Sequence, residues 1–179
     1  MKNNTLKIVL AIVIAGFAVS FLITALSMRT RIYTDYDELA ARPYYNGYYM
    51  GKFPSHDKFE NFKAAEKWFT IYRIYYAEGY TLSDEDFQYL QDEFAELNNI
   101  EGSWSGHFAG KSVKDMEHVR YKKMDMSFEY ADFCQLVTDE PIEDYVLLWY
   151  SPPVHDAPAA VFINPDTNGV VVFHTRRIA

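Results

Sequence analysis

The first thirty residues and the rest of the chain differ sharply in their pattern of apolar and polar positions. Residues 8–26 contain no charged side chain, and Ser20 and Thr24 carry the only hydroxyls. At about 1.5 Å per residue, a helix over this stretch would be roughly 28 Å long, close to the hydrocarbon thickness of a bilayer. The pattern predicts a transmembrane signal-anchor helix over residues 8–27, preceded by a short basic tail over residues 1–7.

A cleaved signal peptide is the alternative interpretation of the same stretch. Residues 25–27 offer small side chains at the −3 and −1 positions of a cut before Met28. The apolar stretch is longer than the ~7–15 residues of a typical signal core, and Arg29 and Arg31 follow it closely, which favours an anchor. Because basic residues flank it almost equally, the positive-inside rule does not decide the orientation. We expect an extracytoplasmic domain, periplasmic or extracellular, since this is the simpler topology for a signal-anchor.

One face of the predicted anchor carries small or hydroxyl side chains. Gly16, Ser20 and Thr24 recur every four residues. Stripes of this kind let membrane helices approach each other closely, although the same residues are common in membrane helices in general. These three residues are therefore candidates for helix packing in the membrane.

Residues 28–54 are predicted to form a tyrosine-rich juxtamembrane connector. Two prolines and two glycines between residues 42 and 54 disfavour a long regular element, although residues 35–41 could form a helical turn or two. Tyrosine is common both at membrane interfaces and at protein interfaces. The side chains of this stretch either contact lipid headgroups or a partner, or pack the connector onto the domain; the candidates are Tyr44, Tyr45, Tyr48 and Tyr49.

Residues 55–179 are predicted to form a single domain that begins with two helices. Ser55 precedes apolar residues at three- and four-residue steps, and Gly79 follows them, which predicts a helix over residues 56–78. Ser83 precedes three acidic residues and a second apolar stripe, which predicts a helix over residues 84–98. The short link between them predicts an antiparallel helical hairpin.

The later part of the domain shows strand patterns. A continuous apolar run predicts a strand at 145–151, and two β-rich runs around Asn168-Gly169 predict a hairpin of residues 159–164 and 169–175. Weaker alternation suggests further strands at 104–108 and 124–130. The predicted fold class is α+β: one N-terminal transmembrane helix, then a helical hairpin packed on an antiparallel sheet of three to five strands.

Composition restricts the classes of partner. After residue 26 the chain carries 15 basic and 25 acidic residues, a net charge of −10. Such a surface repels nucleic acid, whose binding depends on neutralised phosphates. The aromatic content of 17% is sufficient for a packed core and argues against disorder. Cys134 is the only cysteine, so no intrachain disulfide or cysteine-based metal site can form.

Candidate chemistry is sparse. The chain lacks a P-loop, a dinucleotide-binding glycine motif, a zinc-protease motif and a nucleophile elbow. His155 and Asp156 lie in a proline-flanked loop and could meet His107 or His174 in a hydrolytic cluster. Adjacent residues point apart in extended chain, however, and no nucleophile accompanies them. We expect no enzyme activity, no cofactor and no metal.

These features lead to a functional expectation. We expect a single-pass membrane protein whose acidic, aromatic-rich domain binds another protein. It would act as an accessory subunit of an envelope complex or as an immunity-type protein that neutralises an effector. The alternative is an apolar-ligand carrier or sensor module, and a His/Asp hydrolase is less favoured. The expected partners are the lipid bilayer and another protein, without nucleic acid.

Overall fold

The computed structural model describes residues 9–10, 12–21, 29–45, 52–70, 73–99, 109–113, 130–151 and 159–177. Its strands are β1 (Arg31–Tyr33), β2 (Glu60–Thr70), β3 (Arg73–Thr81), β4 (Val146–Ser151), β5 (Ala159–Asn164) and β6 (Gly169–Arg177). Its helices are α1 (Tyr36–Ala40), α2 (Asp84–Asn98) and α3 (Tyr130–Gln135), with 3₁₀ turns at His56–Lys58 and Ile142–Asp144.

All six strands belong to one antiparallel sheet in the order β1-β2-β3-β6-β5-β4. The α+β class and the antiparallel sheet are therefore confirmed. The predicted count of three to five strands is wrong, because β1, β2 and β3 come from stretches for which no strand was predicted. β3 and β6 lie at the centre of the sheet, so each pairs with a neighbouring strand along both edges.

The helix predicted over residues 56–78, and with it the helical hairpin, is wrong. This stretch forms a 3₁₀ turn followed by most of the β2–β3 hairpin. Ser55, the predicted N-cap, makes no side-chain capping hydrogen bond. Gly79, the predicted helix end, lies within β3, where a Cβ atom would be 2.1 Å from the carbonyl oxygen of Val137. A glycine is needed there because another backbone approaches closely, not because a helix ends.

The misleading helical spacing has a physical cause. Residues 74–80 of β3 are all buried, since one face packs under α3 and the other under α1 and α2. A strand buried on both faces loses the alternation of apolar and polar residues that identifies strands in sequence. The aromatic residues of this stretch then fell by chance at helical steps, although aromatic side chains favour strands.

Other elements agree with the sequence predictions. α2 covers the predicted range of 84–98, and the hydroxyl of Ser83 accepts a hydrogen bond from the backbone N–H of Asp86 at 3.2 Å. The β5–β6 hairpin is confirmed, and Asn168 has the positive φ of 57° that its turn requires. β4 begins one residue later than predicted. The strand suggested at 104–108 and most of the one at 124–130 lie outside the described residues, while Tyr130 begins α3.

The two faces of the sheet carry separate core clusters. α3 and the chain after it cover one face, where buried residues include Ala77, Phe133, Cys134, Val137 and Phe173. α2 covers the β4–β5–β6 part of the other face, and α1 covers its β1–β2–β3 part. The region between α1 and α2 on this second face contains the site described below.

The predicted transmembrane helix over residues 8–27 is not supported. In this range the structure describes residues 9–10 and 12–21, which are helical. No helix in the described parts of the chain has both the length and the apolar character needed to cross a bilayer.

Candidate functional site

A cavity of about 300 Å³ lies on the second face of the sheet, between β3 and the chain that leads from α1 to β2. It is called here the aromatic cavity and is partly open to solvent. Its floor comes from the sheet, and its walls come from residues within 36–45 and 53–59. The lining residues are Tyr36, Tyr45, Phe53, Pro54, Ser55, His56, Phe59, Glu78, Tyr80 and Val172.

The floor of the cavity follows from the strand register. Glu78 and Tyr80 are two residues apart on β3, so their side chains point to the same face. Glu78 lies directly opposite Val172 of β6 in the antiparallel register. Tyr76 is opposite His174, which makes Glu78 and His174 diagonal neighbours on this face.

Aromatic stacking holds the walls in place. The ring of Phe59 stacks on that of Tyr80 with centroids 3.9 Å apart and planes only 5° from parallel. Tyr36 stacks on His56 at 4.5 Å and meets Phe59 edge-on at 6.2 Å. Aromatic pairs of this kind contribute about 0.5–1.5 kcal/mol each beyond their buried area. The walls are therefore preformed.

The carboxylate of Glu78 links the walls to the floor. Its Oε2 atom accepts a hydrogen bond from the hydroxyl of Tyr45 at 2.9 Å, and its Oε1 atom lies 2.8 Å from Nε2 of His174. Tyr45 is in turn hydrogen-bonded to Tyr36 of α1. Burial, then the nearby carboxylate of Glu78, raises the pKa of the Tyr45 hydroxyl far above its ordinary value. Tyr45 therefore remains a hydrogen-bond donor at physiological pH.

The side chain of Tyr80 lines the cavity, but its hydroxyl is buried without a partner. The side chain is only 4% exposed, and the hydroxyl makes no hydrogen bond to any described residue. Burial raises the pKa of this hydroxyl well above its ordinary value, so it is a neutral phenol. Leaving such a group unpaired costs about 1–3 kcal/mol.

A second buried carboxylate, that of Glu66, is by contrast fully engaged. It accepts hydrogen bonds from Arg42 through both Nε and Nη2, at 3.0 and 3.2 Å. Tyr33 and Trp68 donate to it at 3.2 and 3.0 Å. Glu66 does not line the aromatic cavity, and its four donors account for its acceptor sites. It is a structural anchor for the chain around α1.

The arrangement around the cavity suits binding more than covalent chemistry. Its lining contains aromatic rings, one carboxylate and four residues with a hydroxyl group, but neither a cysteine nor a lysine. Over the described ranges, no group of three or more His, Cys, Asp and Glu residues is placed to hold a metal ion. The one described member of the suggested hydrolytic cluster, His174, is buried against Glu78; His107, His155 and Asp156 lie outside the described residues.

The candidate tyrosines of the connector have different environments. Tyr45 is partly buried and belongs to the cavity lining, as described above. Tyr44 is 37% exposed, and its ring lies almost perpendicular to that of Trp68, with the two ring centroids 5.7 Å apart. Tyr48 and Tyr49 lie outside the described residues.

The candidate helix-packing residues can be placed only in part. Gly16 and Ser20 lie on the helical segment at 12–21 and are exposed. Apart from its chain neighbours and the backbone of its own helix, no described atom lies within 4 Å of where a Cβ on Gly16 would be. Thr24 falls outside the described residues. The packing role of this stripe stays a prediction.

Apart from Tyr45, sequence reasoning did not identify the residues that form the cavity. Glu78 was assigned to a helix, and Tyr36, Phe59 and Tyr80 were not singled out. One signal was available: Glu78 is the only charged residue between Ile74 and Tyr80, in an otherwise apolar run. A lone carboxylate in a buried strand requires a partner, and His174 is the matching polar residue in the apolar run of β6.

The comparisons with known proteins add no relative. No protein-family model, curated protein or solved structure matches this chain.

The buried tyrosines around this face predict an alkaline limit to stability. Burial is the main cause that raises the pKa values of Tyr45, Tyr76 and Tyr80 above the 10.0 of an exposed tyrosine. Above that pH the unfolded chain loses these protons while the folded protein keeps them. Stability is therefore complete below about pH 10 and falls as pH rises toward the folded-state values, by about 1.4 kcal/mol per pH unit for each such tyrosine.

Denaturant titrations of the full-length protein from about pH 8 to about pH 11, with tyrosinate absorbance followed in parallel, would measure this limit. Tyr80→Phe should reduce the slope of the free energy of unfolding above pH 10 by one tyrosine's share. Ionisation of all tyrosines near pH 10 in a protein that stays folded would contradict the prediction.

Proposed function

We propose that this protein is a membrane-anchored carrier or sensor module that binds a small, partly apolar molecule in the aromatic cavity. The observation that carries the proposal is the cavity itself, about 300 Å³ in volume and lined mainly by aromatic rings around one carboxylate. Small-molecule sites are typically concave, ~300–1,000 Å³ in volume and mostly apolar, with few polar groups to orient the ligand. The cavity is at the lower end of that range, which favours a small ligand.

Preorganisation supports the same proposal. The Phe59–Tyr80 stack and the hydrogen bond from Tyr45 to Glu78 hold the walls before any ligand arrives. A preformed site avoids the entropic cost of ordering loops and side chains when the ligand binds. The walls are also continuous with α1 and, through β1, with the chain that follows the N-terminal segment. A bound ligand would thus contact the part of the domain that is nearest in sequence to the proposed anchor.

Fragment binding tests the proposal. We expect at least one of three fragments of similar shape (2-phenylethanol, 2-phenylethylammonium or 3-phenylpropionate) to bind the full-length protein in ligand-observed NMR. Val172→Phe places a ring in the cavity from its floor and should weaken that binding at least about tenfold. Leu136→Phe adds the same ring at a site 46% exposed and away from the cavity, and should leave binding unchanged.

Two outcomes would overturn this proposal. One is the absence of saturable binding by all three fragments. The other is equal binding by the wild-type protein and a folded Val172→Phe variant, because the bound fragment would then lie elsewhere.

Residues 8–27 act in this proposal as the membrane anchor, with the domain on the extracytoplasmic side. The helical residues 9–10 and 12–21 support it, because their large apolar side chains, from Val9 to Phe21, are between 47% and 77% exposed. A helix that is apolar on all sides needs an apolar surrounding, and a bilayer provides one.

The anchor is tested on expressing cells. We expect the full-length protein to stay in the membrane pellet after alkaline carbonate extraction, because a spanning helix is not held by surface charge. Protease added outside cells or spheroplasts should cleave the domain. Release into the carbonate supernatant would contradict the anchor, and protection from protease until lysis would contradict the topology.

Binding of another protein is a second candidate function. The observation that favours it is β1, which pairs only with β2 among the described strands and leaves its outer edge open. On this strand the side chain of Ile32 is 49% exposed. An open edge strand can accept a strand from a partner, with an exposed apolar side chain adding contact area.

Ile32→Lys tests this second candidate, because a charge on an edge strand opposes strand addition. We expect adducts formed by chemical crosslinking in membranes, and identified by mass spectrometry, to be lost in this variant. Tyr89→Lys, at a residue of α2 that is 45% exposed, is the matched control and should retain them. Crosslinking that returns only the protein itself, or adducts unchanged by Ile32→Lys, would count against a partner at β1.

A further inference from the structure

The carboxylate of Glu78, in the lining of the aromatic cavity, can accept more hydrogen bonds than it receives. An ionised carboxylate has about four acceptor sites on its two oxygens. Those of Glu78 receive one hydrogen bond from Tyr45 and one contact from His174. About two sites therefore remain on a side chain that lines the cavity and is only 7% exposed.

The charge of Glu78 narrows the chemistry further. An anionic ligand group would lie beside this buried carboxylate in a small cavity, at a high electrostatic cost. A ligand group with several N–H donors could instead use the remaining acceptor sites of Glu78. The side chain of Tyr80 lines the same cavity, but its hydroxyl has less than 1 Å² of exposed surface and is out of reach of a ligand.

The remaining lining residues also favour positive charge. The described lining contains no lysine or arginine, and its other ionisable groups are tyrosine hydroxyls and the exposed His56 at the rim. Aromatic ring faces attract ammonium groups, and the effect is larger where water is excluded. The whole chain carries a net charge of −8, which raises the local concentration of cations near the opening.

We infer that the ligand of the aromatic cavity is a small organic amine, bound as its ammonium ion, with an apolar or aromatic body. This inference rests on the proposed ligand-binding function. The ammonium group donates to Glu78, while the body of the ligand packs against Phe59, Tyr36 and Val172. A quaternary ammonium fits less well, because it has no N–H group for the Glu78 carboxylate.

The test compares probes of one shape and different charge by calorimetric titration of the full-length protein at neutral pH. The probes are 2-phenylethylammonium, its N,N,N-trimethyl derivative, 2-phenylethanol and 3-phenylpropionate. We expect 2-phenylethylammonium to bind at least about tenfold more tightly than the alcohol, because hydrogen bonds to charged groups are among the strongest. The carboxylate probe should bind most weakly.

Two variants test whether Glu78 causes the preference. Glu78→Gln should reduce the preference for the ammonium over the alcohol to less than about threefold. It should also reduce the preference for the primary ammonium over its trimethyl derivative. Glu140→Gln is the control: its Oε2 atom accepts hydrogen bonds from Tyr145, Asn164 and Thr167 outside the aromatic cavity, so all four affinities should stay unchanged.

The outcomes separate this inference from the function on which it rests. If the alcohol or the carboxylate probe binds the wild-type protein as tightly as the ammonium, the inference is overturned while ligand binding stands. A preference that survives in a folded Glu78→Gln variant also overturns it. If none of the probes binds, both proposals fail. If Glu78→Gln does not fold, the comparison of the four probes on the wild-type protein decides the inference by itself.

Discussion

The buried carboxylate of Glu78 is the constraint on which the cavity side of this protein depends. A carboxylate inside a sheet has a high desolvation cost unless hydrogen bonds replace the lost water. Here the replacements come from two directions, from His174 on the neighbouring central strand and from Tyr45 in the chain after α1. The hydrogen bond from Tyr45 attaches residues outside the hairpins to the sheet. This attachment positions the walls of the aromatic cavity.

The buried carboxylate of Glu66 is stabilised in the same way. Its donors include Tyr33 of β1 and Arg42 just after α1. The buried carboxylates of β2 and β3 thus both accept hydrogen bonds from described residues of the stretch that was predicted to be a connector. The two carboxylates differ in one respect that matters for function. Hydrogen bonds within the protein occupy the acceptor sites of Glu66, whereas some acceptor sites of Glu78 remain available beside the aromatic cavity.

Secondary-structure elements with simple surroundings could be predicted from the sequence. α2 has one buried stripe, a serine cap and acidic residues in its first turn, so its pattern was unambiguous. The β5–β6 hairpin has turn residues that favour a positive φ. The β2–β3 hairpin could not be recognised, because β3 is buried on both faces and its Gly79 serves a close approach of Val137. The cavity could not be predicted either, because it is formed by residues of α1, β3 and β6 that come together only in the folded protein.

A ligand-binding role gives one explanation to two features of the cavity: its preformed walls and a carboxylate with spare acceptor sites. Intermolecular nuclear Overhauser effects between 2-phenylethylammonium and the full-length protein test that explanation most directly. The account predicts contacts from the probe's ring and methylene protons to the rings of Phe59 and Tyr80 and to the methyl groups of Val172. Contacts confined to side chains outside the aromatic cavity, such as Ile32 of β1, would contradict it.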